Sequence, residues 1–137
     1  MLKKIVFLGV AATLAFSAST FADVVIVVNK NNSSEINIAD VKKMYLGKTD
    51  KFSNGNTAIP INVRDSEIKE TFDATVIGRS SSQVTAYWSK AVFTGAGTPP
   101  KQVESQSEVL KLVSSNPNVI GYIDDSLVND SVRTISL

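Results

Sequence analysis

Arg64, Asp65 and Ser66 are the residues of this sequence whose types and spacing best suit chemistry. They follow an apolar run, Ala58-Ile59-Pro60-Ile61-Asn62-Val63, and lead into a helical pattern, Glu67-Ile68-Lys69-Glu70-Thr71-Phe72. A strand that ends in a cation and a hydroxyl and then turns into a helix aims free backbone N–H groups at one point. Anions bind at such points. The same residues also fit a plainer role, in which Asp65 or Ser66 caps the helix and Arg64 pairs on the surface with Asp65 or Glu67. Spacing alone leaves the two open.

Other chemistry finds little footing. The sequence contains no histidine and no cysteine, which removes Ser-His-Asp and Cys-His catalysis and the usual zinc and iron sites. Asp50-Lys51-Phe52-Ser53-Asn54-Gly55 starts like a calcium loop, but Phe52 holds a ligand position and Ile61 stands where a bidentate Glu is needed. Asp124-Asp125 reads as a solvated turn. Gly47-Lys48-Thr49 imitates the end of a nucleotide phosphate loop, yet Lys42 occupies the place of the earlier glycine and the motif closes a helix where it should open one. There is no Gly-x-Ser-x-Gly elbow. The expectation is binding without catalysis, with no cofactor and no metal. Trp88 and Phe93 stand at helical spacing, so both are expected in the core, and Tyr122 is expected to pack.

The elements that must position Arg64 alternate. Val24-Val25-Ile26-Val27-Val28 is a continuous β-branched run, predicted to be a strand buried on both faces as in a parallel sheet. Asn37 is a plausible N-cap for a helix carrying Ile38, Val41, Met44 and Tyr45, stopped by Gly47. A second strand runs 58–63, and the helix after Ser66 uses Ile68, Phe72 and Val76 as its inner stripe before Gly78. Ser80 with Gln83 forms a capping box for a helix whose apolar positions are Val84, Tyr87, Trp88, Ala91 and Val92. After the 95–100 loop, Ser105 and Glu108 open another helix, which Asn116-Pro117-Asn118 ends. Strands over 119–123 and 132–136 complete a three-layer α/β sheet with helices on both faces.

The first 22 residues are predicted to be a signal peptide. Lys3 and Lys4 precede an apolar stretch from Ile5 to Phe16, and Thr20-Phe21-Ala22 supplies small residues for cleavage after Ala22. The stretch falls short of the roughly 20 residues of a membrane span, so no membrane insertion of the mature chain is expected. Residues 23–137 then form one exported domain. Its net charge falls from +1 to −1 with the loss of Lys3 and Lys4, a balance that argues against a nucleic-acid or polybasic membrane surface.

The order of motifs resembles the phosphate ABC transporter substrate-binding proteins, the periplasmic receptors of ABC importers. Ile38-Ala39-Asp40-Val41-Lys42-Lys43-Met44-Tyr45-Leu46-Gly47-Lys48 is similar to their helix ending in an I-F/Y-L-G-K stretch. Asn62-Val63-Arg64-Asp65-Ser66, Trp88, Phe93-Thr94-Gly95, Pro99-Pro100 and Asn116-Pro117-Asn118-Val119-Ile120-Gly121-Tyr122 follow in the family's order. The resemblance implies a short form of the fold, one lobe of a type II periplasmic binding protein, and a periplasmic phosphate- or oxyanion-binding function related to ABC-type uptake. Arg64 would pair with the oxyanion, Ser66 would donate, and Asp65 would accept from a protonated phosphate. An ABC permease or another periplasmic protein is the implied partner, and a homodimer is a further expectation. The family's receptors have two lobes and a Ser-Gly-Thr run where Glu67-Ile68-Lys69 stand here. The alternative is therefore a lobe that serves as a protein–protein interaction or accessory module with little anion binding.

Overall fold

The computed structural model describes residues 23–137, and the predicted signal peptide lies outside the described residues. Five strands form one mixed sheet in the order β3-β2-β4-β1-β5. They are β1 (Val24–Asn29), β2 (Ile59–Val63), β3 (Lys101–Val103), β4 (Val119–Asp124) and β5 (Val132–Ile135). The helices are α1 (Ile38–Tyr45), α2 (Ser66–Phe72), α3 (Ser81–Phe93) and α4 (Gln106–Ser115). A π-helical segment, Asp73–Ile77, extends α2 to Gly78.

β1 is buried along its whole length, as its β-branched run predicts. Its direction differs from the expectation. Val24 to Val28 pair antiparallel with Asp124 to Ile120, and Ile26 to Asn29 pair antiparallel with Ile135 to Val132. Burial on both faces follows from lying inside a sheet covered on both sides, and says nothing about the direction of the neighbours. The parallel part of the sheet is β3-β2-β4.

Helices cover both faces. On one, Val109 of α4 packs so close to Gly121 that a Cβ there would lie 2.6 Å from its Cγ1. Asn29 fastens β1 to the end of the same helix, its Nδ2 donating to the carbonyls of Val113 (2.8 Å) and Ser114 (3.0 Å). On the other face, Tyr45 of α1 and Phe72 of α2 meet Tyr122 of β4.

Local chemistry sets the helix ends. Asn37 accepts from the Asp40 N–H, and Ser80 and Gln83 exchange both bonds of a capping box. Ser105 accepts from the Glu108 N–H, but the Glu108 carboxylate turns to the Glu104 N–H, one residue before the cap. Gly47 ends α1 with φ +71°, and a Cβ would come 2.8 Å from the Trp88 ring, so both the backbone and the indole require glycine. In α3, Val84 and Trp88 face inward, whereas Phe93 is 92% exposed and Val92 is half exposed. The expectation of a core role thus holds for Trp88 and fails for Phe93, which lies at the helix end beyond the last turn that meets the core.

Candidate functional site

The parallel strands β2 and β4 pair only where they begin, Ile59 opposite Val119 and Pro60 opposite Ile120. Towards their C-terminal ends, side-chain hydroxyls take over from the missing ladder. The Tyr45 hydroxyl lies within hydrogen-bond reach of the Ile61 carbonyl (2.8 Å) and the Ile120 carbonyl (3.2 Å). The Val63 N–H donates to Tyr122 Oη at 3.4 Å, and the Tyr122 hydroxyl donates to Asn62 Oδ1 at 2.9 Å. The chain leaves β2 towards β3 on one side and returns through α4 to β4 on the other. Ligands of open α/β sheets bind at such a switch point, outside the carboxyl ends of the strands.

Arg64, Asp65 and Ser66 stand at this end of β2. The Arg64 N–H bonds the Val103 carbonyl at 2.8 Å, which fixes the residue to β3. Its guanidinium Nη1 donates to both oxygens of Glu104 at 3.0 and 3.1 Å, with the two side chains 65% and 70% exposed. An ion pair this exposed is worth about 0.2–1 kcal/mol, so it can be exchanged for another anion at modest cost. Asp65 is the N-cap of α2, its Oδ1 accepting from the N–H groups of Glu67 (3.1 Å) and Ile68 (3.4 Å). Ser66 opens α2, and its side chain lies outside the described residues. The three residues are therefore adjacent, with Arg64 paired to Glu104 and not to the Asp65 or Glu67 of its own loop.

Asp73 is a residue that motif reading passed over. It is 2% exposed, and its Oδ2 accepts from Lys69 Nζ at 2.6 Å and from Ser81 Oγ at 2.8 Å. Lys69 and Asp73 stand four residues apart, which was the available signal, but on a surface helix that spacing marks only a weak pair. Asp73 stands on the buried face of the helix with Ile68, Phe72, Val76 and Ile77, beside the tyrosines. Burial, first among the causes, pushes the Tyr45 and Tyr122 phenols well above their usual pKa, and the Asp73 carboxylate adds to the upward shift of both.

An alkaline transition follows from these shifts. The unfolded phenols titrate near pH 10, and the folded ones at higher pH. Their stabilising contribution is complete below about pH 10 and is lost as pH rises towards the folded values, at about 1.4 kcal/mol per pH unit for each phenol. Phenolate absorbance from Tyr45 and Tyr122 should therefore appear together with loss of near-UV circular dichroism. Ionisation of both with the near-UV signal intact would contradict their burial.

Neither a protein-family model nor a curated protein matches the sequence. Solved structures do. A Clostridium perfringens protein assigned as a phosphate ABC transporter substrate-binding protein, solved with bound phosphate, superposes over 82% of this chain with TM-score 0.63 and 21% identity. The chain has the fold of phosphate substrate-binding proteins. An ABC-type phosphate transport receptor from Vibrio cholerae is similar over 82% of the chain (TM-score 0.63, 19% identity), as is PstS from Borrelia burgdorferi over 83% (TM-score 0.61, 15% identity). The chain spans 44–46% of the length of these proteins, the extent of one lobe. No helix among the described residues is long and apolar enough to cross a membrane.

Proposed function

We propose that this protein is an exported, periplasmic phosphate- or oxyanion-binding protein related to ABC-type phosphate uptake, which binds without catalysis. The observation that carries the reading is the likeness of fold to phosphate receptors, one of them solved with phosphate bound, over four-fifths of the chain. Arg64 at the carboxyl end of β2, beside the start of α2, is the group that would meet the anion. Its guanidinium would exchange Glu104 for the oxyanion, and the Ser66 hydroxyl or N–H would donate. Asp65 keeps one oxygen on the helix N–H groups and would use the other to accept from a protonated phosphate. An ABC permease is the corresponding partner, and removal of residues 1–22 would release the domain.

Magnitudes favour weak binding by the lobe alone. Charge-assisted hydrogen bonds contribute about 1.5–3 kcal/mol each where water is excluded. A solvent-exposed face gives less, and about 4 kcal/mol in total corresponds to a dissociation constant near 1 mM. Glu104, Glu67 and the Asp65 carboxylate also crowd the same end of α2 with negative charge. That crowding favours a second reading, an accessory module whose exposed face meets a protein and takes up little anion.

Calorimetric titration with inorganic phosphate tests the first reading. Saturable heat is expected, lost in Arg64→Ala. Glu104→Gln should tighten binding up to about fivefold, because it frees the guanidinium from an exposed ion pair. No heat and no thermal shift at about 10 mM phosphate, ten times the constant estimated above, would sink the reading. Binding that survives Arg64→Ala would place the site elsewhere.

A further inference from the structure

A groove of about 700 Å³ runs beside α3, between that helix and the Pro99-Pro100 segment, with Asn62 and Lys69 among its lining residues. Its volume is in the range of small-molecule sites, about 300–1,000 Å³. Arg64 and Asp65 are not among its lining residues. Trp88, Val92 and Phe93 give it an apolar wall, and Phe93 is 92% exposed. With the half-exposed Val92 beside it, Phe93 forms an exposed apolar patch on the edge of the groove.

The polar groups in the groove are specified by the hydrogen bonds beneath it. The Val63 N–H donates to Tyr122 Oη, so the Tyr122 proton is directed to Asn62. Asn62 must then accept through Oδ1, which leaves the Nδ2 amide, a pure donor, as what it offers a ligand. Lys69 donates to Asp73 Oδ2, and an ammonium has two further protons and no acceptor. Asp73 is buried and held also by Ser81, so this pair is fixed in place and not a solvated surface contact. A groove lined by two such donors and an apolar wall selects a ligand with an acceptor-rich head and an apolar body.

We propose that this groove is a second binding site, separate from the Arg64 loop, for small aromatic carboxylates. The carboxylate sits on Asn62 Nδ2 and Lys69 Nζ, and the ring lies against Trp88 and Phe93. Inorganic phosphate offers the head without the body and does not fill the groove, so the proposal stands or falls independently of the phosphate reading.

Trp88 is the sole tryptophan and lines the groove, so its fluorescence reports occupancy directly. Titration of the protein with 3-phenylpropionate is expected to change the Trp88 emission saturably, and calorimetry should give the same constant. The uncharged analogue 3-phenylpropanol should bind about tenfold more weakly or worse, the loss expected when a charged acceptor is removed. Ser89→Phe, which places a ring in the groove from an exposed position of α3, should abolish binding, and Phe93→Ala should weaken it. Saturating phosphate should leave the constant unchanged. No saturable response to 3-phenylpropionate overturns the proposal. So does equal binding of acid and alcohol, binding that persists in Ser89→Phe, or full competition by phosphate. A concentration-dependent dimer that Phe93→Ala abolishes would make a second copy of the chain the occupant, and would overturn it too.

Discussion

Phe72→Ala is expected to remove about 4 kcal/mol of stability, the middle of the 3–5 kcal/mol range for truncating a fully buried phenylalanine. Phe72 is wholly buried and joins both tyrosines behind the Arg64 loop. Its ring stacks on Tyr122 at 3.9 Å between centroids with 5° between planes, and meets Tyr45 edge-on at 4.7 Å. Aromatic pairs add about 0.5–1.5 kcal/mol beyond the area they bury, and the cavity would open under two strand ends already parted from each other. A domain of this size has about 5–15 kcal/mol in all, so the variant should lie near the edge of folding. Urea denaturation should show the midpoint falling with the slope unchanged. Phe72→Leu should lose clearly less. A loss below about 1 kcal/mol in Phe72→Ala would mean that the aromatic cluster does not hold α2 to the sheet.

Asp73→Ala is expected to cost about 3–5 kcal/mol, the usual penalty for removing one member of a buried ion pair. The loss comes from what is left behind. Lys69, whose side chain is only 20% exposed, keeps its ammonium with no counter-charge, and the Ser81 hydroxyl loses its acceptor. Replacing both charges, in Lys69→Met with Asp73→Leu, should recover most of the stability, because a buried pair contributes little over an apolar substitute of similar volume. The double-mutant cycle on chemical denaturation therefore separates the two contributions. An additive double variant would show that Lys69 and Asp73 do not act as a pair. The same double variant should lose 3-phenylpropionate binding while staying folded, which separates the pair's structural role from its role in the groove.

What the sequence made legible is the chemistry that acts over a few residues. Asn37, Ser80 with Gln83, and Ser105 cap the helices where their spacing predicts, because a cap bonds N–H groups two or three residues away. Gly47 and Gly78 stop helices for an equally local reason, a left-handed backbone. The strand content of 24–28 and 119–123 is likewise legible from β-branched composition. Strand direction is not, since Val24 to Val28 would carry the same side chains in either kind of sheet. β3 escapes notice because Lys101-Gln102-Val103 is too short for a period and follows two prolines. At the site, the adjacency of Arg64, Asp65 and Ser66 is trivial, but Glu104 reaches Arg64 only because β3 aligns beside β2. Asp73 and Phe93 were missed for opposite reasons. A carboxylate stands on the buried face of a helix among apolar neighbours, and the end of α3 leaves a phenylalanine outside.

The central place of β1 bears on how the chain reaches this fold. β1 is the first described strand, yet its neighbours are β4 and β5, the last two in order. Residues 30–118 lie between β1 and the first of these partners. Until β4 and β5 reach it, a six-residue segment, apolar for five of its positions, has no strand to pair with. Helices α1 to α4 can form early from local contacts, but the sheet cannot close until residues beyond 119 are free to move. Such pairings between distant parts of a chain make folding slow and late. Completion of this domain is thus a single late event, in which β4 and β5 close on either side of β1.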